Sequence, residues 1–83
     1  MDPDLKDRLE RVDALQAALR DGRPRPDKMA AWYCASALLD AGGAPEDVAV
    51  NVRGEREAIV EQIGKSRPPT GEMRWAYAAV LVA

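Results

Sequence analysis

The 83-residue sequence has no histidine, no phenylalanine, a single cysteine and no apolar run of bilayer length. Each of these absences excludes something. Without histidine, neither a Ser-His-Asp triad nor a His-containing zinc site can be assembled from the chain. One thiol, Cys34, can close no intramolecular disulfide and form no thiolate cluster, which makes a cytoplasmic setting the natural expectation. No P-loop or G-x-G-x-x-G turn occurs, and Gly42 and Gly43 read as a helix stop. Glu57 and Glu61 share one helix face with no matching carboxylate pair on another helix, so they read as solvated surface rather than a metal site. The expectation is therefore a non-enzyme with no cofactor, no metal and no small-molecule substrate.

The first residues, "MDPDLKDRLE", are charged where a secretory leader would be apolar, so no signal peptide is expected. The apolar ending, "GEMRWAYAAVLVA", is shorter than the roughly 20 residues that span a bilayer, so no membrane partner is expected either. The net charge of −2 argues against general affinity for nucleic acid or anionic lipid.

What is present points to helices. Leu5, Leu9, Val12, Leu15 and Leu19 recur at steps of three and four, and Asp2, Pro3 and Asp4 suit a helix start. Gly22 and the "RPRP" that follows end this first helix. A second helix is predicted over Asp27–Asp40, apolar on every side in its middle and therefore placed between neighbours. The third begins at Pro45, with Glu46 and Asp47 favourable to the helix dipole, and buries Val48, Val52, Ile59 and Ile63. Pro68 and Pro69 must end it, and the apolar ending is the fourth helix. No segment sustains the period-two alternation of a strand. The fold class expected is all-α, four helices in an up-down arrangement within one domain, residues 1–83.

Shifted by 44 residues, the chain aligns with itself without a gap. Ala14 falls on Ala58, Leu15 on Ile59, Leu19 on Ile63, Arg23 on Arg67, Pro24 on Pro68, Met29 on Met73, Tyr33 on Tyr77 and Ala35 on Ala79. The pattern suggests two helical-hairpin repeats, 1–44 and 45–83, with a period in the range of helical-hairpin arrays. In such an array the fourth helix, counterpart of the second, would be covered by the next repeat. Here the cover must come from closure into a bundle, from a second copy, or from another protein.

Two surfaces are candidates for contact. "MRWAY" gathers Arg74, Trp75 and Tyr77, residue types that dominate interface hot spots, with Leu81 on the same helix and Trp32 on the second. A core without phenylalanine needs large side chains, so core packing is the first role expected of each aromatic; of the two tryptophans, Trp75, beside the costly-to-bury Arg74, is the one more expected to meet a partner. The other candidate is a basic edge, Arg20, Arg23, Arg25, Lys28, Lys65 and Arg67, formed where the helix 1–2 and helix 3–4 turns share one end. The middle turn and the N-terminus, with Asp2, Asp4, Asp7, Asp40, Glu46 and Asp47, would make the opposite end acidic.

"VRGERE" interrupts the third helix. Gly54 costs about 1 kcal/mol against alanine there, and Arg56 sits where the stripe wants an apolar residue. One reading makes Gly54 a close-approach point, with Arg53, Arg56 and Glu57 a polar contact surface. The preferred one lays the Arg56 stem along the core edge with its head in water.

The function these features favour is a non-catalytic protein-protein interaction module, a small adaptor, regulator or inhibitor whose partner is another protein or its own copy. The alternative is a nucleic-acid-associated protein that uses the basic edge.

Overall fold

The computed structural model describes residues 2–64 and 66–83. Four helices make up the fold: α1 (Pro3–Arg20), α2 (Lys28–Ala37), α3 (Pro45–Ile63) and α4 (Met73–Val82). Their ends follow the local chemistry. Asp2 accepts from the Asp4 amide at 3.0 Å ahead of Pro3, the first helical residue of α1. Asp27 caps α2 rather than lying within it, accepting from the Ala30 amide at 2.7 Å. At the other end α2 stops at Ala37, three residues short of the expected Asp40, because Leu38–Asp40 form a turn. Pro45 opens α3 without a side-chain cap, and Gly64 closes it at φ 76°, a conformation that disfavours any residue with a Cβ.

The expected four-helix arrangement is what the chain adopts, but the neighbours are ordered in a particular way. Helix α1 packs on α2 and α3, and α4 packs on α2 and α3. Among the described residues the pairs α1–α4 and α2–α3 make no close backbone approach. Two hairpins thus lie side by side, with α1 and α3 in one layer and α2 and α4 in the other.

The two hairpins are also staggered. The two longer helices, α1 and α3, are about 27–29 Å long, yet the molecule measures 45 × 21 × 20 Å. Glu46, in the first turn of α3, lies beside Ala14, Ala17 and Ala18 of α1. The first half of α3 therefore covers the second half of α1, leaving residues 3–10 exposed. Leu5 and Leu9, expected in the buried stripe, are exposed because no helix reaches far enough to cover them. For the same reason Ile59 and Ile63 are only half-buried, while Val48 and Val52 are in the core.

Two arginines pin this arrangement, Arg11 within the first hairpin and Arg53 between the two hairpins. Arg11, midway along α1, donates through Nε to the Leu39 carbonyl at 3.1 Å and through Nη2 to the carbonyls of Ala41 and of Gly43, the latter at 3.3 Å. Arg53 of α3 donates through Nη2 to the carbonyls of Ala18 (3.1 Å), Leu19 (3.0 Å) and Asp21 (2.6 Å). These carbonyls cluster at the end of α1, where the Ala18 carbonyl also accepts from the Asp21 amide at 3.3 Å, and a guanidinium suits the negative end of the helix dipole. The middle turn consequently lies against the middle of α1. It does not share an end with the N-terminus as expected, so the acidic pole is split.

One cluster of buried side chains draws on all four helices: Val12, Leu15 and Leu19 from α1, Cys34 and Ala35 from α2, Val48 and Val52 from α3, and Trp75 and Ala79 from α4. Small residues at so many of these positions let the helix axes approach closely, and Trp75 supplies the bulk that the missing phenylalanines would otherwise provide.

Candidate interaction surface

Helix α4 is apolar almost all round, with Arg74 its one charge, so its sequence does not say which face turns inward. The structure buries Trp75, Ala78 and Ala79 and half-buries Val82. The opposite arc, Met73, Ala76, Tyr77, Val80 and Leu81, faces outward and carries no charge. On α2 the residues on the same outer side of the molecule are Met29, Trp32 and Tyr33, all exposed. A groove between the two helices is lined by Tyr33, Met73, Ala76, Tyr77 and Val80. It continues toward Met29, where Asp27 and Glu72 bring the first charges. On the other side, Tyr77 and Leu81 line a second shallow groove with Ile59, Ile63 and Pro69.

The structure divides the sequence-predicted contact residues. Tyr77 and Leu81 lie on the exposed arc, at 53% and 62% exposure. The tryptophans are reversed: Trp75, expected to meet a partner, is 2% exposed, and Trp32 is 47% exposed. The cause is the company each keeps on its helix. Trp75 shares a face with Ala78, Ala79 and Val82, whereas Lys28 and Ser36, one turn either side of Trp32, hold its face toward water. That polar spacing around Trp32 was the available sequence signal. Arg74 is half-buried and donates through Nε to the Pro69 carbonyl at 3.1 Å, bracing its own turn. Helix α2 does sit between α1 and α4, but its outer face is open, contrary to the expectation of burial all round. Met29, Tyr33, Met73 and Val80 complete the surface and were not singled out from the sequence, although the 44-residue shift pairs Met29 with Met73 and Tyr33 with Tyr77.

The "VRGERE" stretch takes an internal role. The Arg56 guanidinium lies over the Trp75 ring, 5.1 Å from its centroid, and ion-pairs with Glu57 at 3.4 Å. Its side chain is mostly buried, so the expectation that the head would stand in water is corrected: the ring face, with its negative quadrupole, takes the place of solvent. Arg53 serves the end of α1. A Cβ placed on Gly54 would meet nothing within 4 Å, so Gly54 is no close-approach point.

The expected basic edge is mixed in sign. Arg23, Arg25, Lys28 and Arg67 are exposed and Arg20 is half-buried, whereas Lys65 lies outside the described residues. Asp27 and Glu72 stand at the same end, joined where the Asp27 amide donates to Glu72 Oε2 at 3.1 Å. These carboxylates dilute the field that an anionic partner would meet.

Cys34 is fully buried, and its Sγ donates to the Trp75 carbonyl at 3.4 Å. Burial, reinforced by the charge of Glu72, pushes the thiol up to about 11, far from the range of a reactive thiolate. Among the described residues no group of three or more His, Cys, Asp or Glu side chains could hold a metal ion, and no helix is long and apolar enough to cross a membrane. No family model, no curated protein and no solved structure matches the chain.

Proposed function

We propose that the protein is a non-catalytic protein-protein interaction module, a small adaptor or regulator that works in the cytoplasm through the outer face of α2 and α4. One observation carries the reading: the exposed residues of α4, Met73, Tyr77, Val80 and Leu81, are all uncharged, with the half-buried Arg74 at their flank, and they are continuous with Met29 and Tyr33 of α2. A face of that kind left to water is a liability, and methionine beside tyrosine is a composition suited to packing against another helix. Two stacked hairpins, units 1–44 and 45–83, form the repeat that builds the face; the packing of α1 on α3 and of α2 on α4 supports this unit structure.

The test is photo-crosslinking in cells that make the full protein, with a photoreactive residue in place of Tyr33, Tyr77 or Val80, and, as controls, of Asp13, Arg23 or Arg67. Protein adducts should form at the three α2/α4 positions and not at Asp13. Adducts confined to the Arg23 and Arg67 positions, or adducts to nucleic acid that disappear steeply with added salt, would overturn the reading in favour of the basic edge.

A further inference from the structure

We infer that the occupant of this face is a second copy of the chain, related by a two-fold axis that passes near Tyr77 and sets the two α4 helices antiparallel. The inference rests on the reading of the α2/α4 face as an interface and adds the identity and geometry of its partner. Area is the first argument. The exposed parts of Met29, Tyr33, Met73, Tyr77, Val80 and Leu81 amount to on the order of 700 Å², above the ~300–600 Å² of the largest patch on an ordinary monomer and close to the ~800 Å² each partner gives to a standard interface.

Charge is the second. An interface between identical copies brings each side chain against the same surface, so a charged centre would repel itself. The centre of the exposed arc, Ala76, Tyr77 and Val80, is uncharged; Asp27, Glu72 and the half-buried Arg74 stand at the end where both helices start, and Glu55 lines the groove beside Leu81 toward the other end. A parallel pairing would set the Asp27 and Glu72 carboxylates against their own counterparts. An antiparallel pairing sets them at opposite ends of the interface.

Geometry is the third. Met73 and Leu81 lie equally far along α4 on either side of Tyr77, so reversing one helix about Tyr77 places Met73 of each copy opposite Leu81 of the other. Ala76, beside Tyr77 on the exposed arc, removes bulk where the two helices cross.

The mass of the purified chain, measured by light scattering across a concentration series, should be twice 9.0 kDa at micromolar concentration. Val80→Asp should weaken self-association at least about thirtyfold, the loss expected of a hot-spot position, while its far-UV spectrum at low temperature stays that of the wild type. Tyr77→Cys should form a covalent dimer on oxidation, since the two-fold axis brings the new thiol to its own mate, and Asp13→Cys, on the other layer, should not. A monomer at every concentration overturns the inference. So does a dimer that survives Val80→Asp and is not trapped by Tyr77→Cys. In either case, in-cell adducts at Tyr77 to a different protein would leave the interaction-module reading standing, and their absence would remove both.

Discussion

Replacing Trp75 by alanine tests the packing described above more sharply than any other single change. The side chain is 2% exposed in the core between α3 and α4 and carries the Arg56 guanidinium on its ring. Truncating a buried tryptophan costs about 3–5 kcal/mol through lost transfer energy and the cavity left behind. Losing the cation–π contact adds about 0.5–2 kcal/mol and leaves the Arg56 head without its aromatic cover. Against that stands a total stability of roughly 4–12 kcal/mol for a domain of this length. The Trp75→Ala chain should therefore be largely unfolded or melt at least about 12 °C lower, at roughly 4–8 °C per kcal/mol, as followed by far-UV circular dichroism. Trp32→Ala, made at a site 47% exposed, should shift the midpoint by less than about 4 °C, an effect within about 0.5 kcal/mol. A Trp75→Ala protein that melts with the wild type would refute the burial of Trp75. Fluorescence provides an independent check: with Trp32 replaced by tyrosine, the remaining emission should be blue-shifted and poorly quenched by iodide.

Two further substitutions probe α3. Gly54→Ala should raise stability by about 0.5–1 kcal/mol, because alanine is the better helix former and a Cβ there meets nothing; a lower melting temperature would restore Gly54 as a close-approach point. Arg53→Met should cost about 2 kcal/mol by stripping the last carbonyls of α1 of a charged donor, with Arg53→Lys intermediate because it keeps the charge but not the fork. Equal denaturation midpoints in urea for Arg53→Met and the wild type would mean that water replaces the guanidinium at no loss.

Much of the fold is written locally. Asp2 and Pro3 before a leucine period, Pro45 ahead of two acids, and the glycines and prolines between segments set the number of helices and most of their ends, because capping, φ restriction and the missing proline amide act within a few residues. The exceptions are instructive. The end of α2 was misplaced because "ALLD" carries no breaker, and only the following turn decides that Leu38–Asp40 leave the helix. The leucine stripe of α1 was read correctly as one face, yet Leu5 and Leu9 are exposed because a period of three and four defines a direction and not the length of the neighbour that covers it.

The candidate interaction surface was legible as a helix and not as a face. An apolar ending announced that α4 would have more hydrophobic surface than one core can take, and the 44-residue correspondence of Met29 with Met73 and Tyr33 with Tyr77 already held the groove residues in pairs. Which arc of α4 turns inward depends on where α2 and α3 stand, and a helix without a polar face gives no local preference. The same holds for one arginine. Arg53 reads in one dimension as part of the polar "VRGERE" stretch, and only the packing of α3 on α1 brings it beside carbonyls more than thirty residues away. The sequence by itself therefore determined the helices, their caps and the surplus of apolar surface, since these follow from interactions within one or two turns. The tertiary structure alone decided that Trp75 is core and Tyr77 is surface, because burial is a property of neighbours distant along the chain.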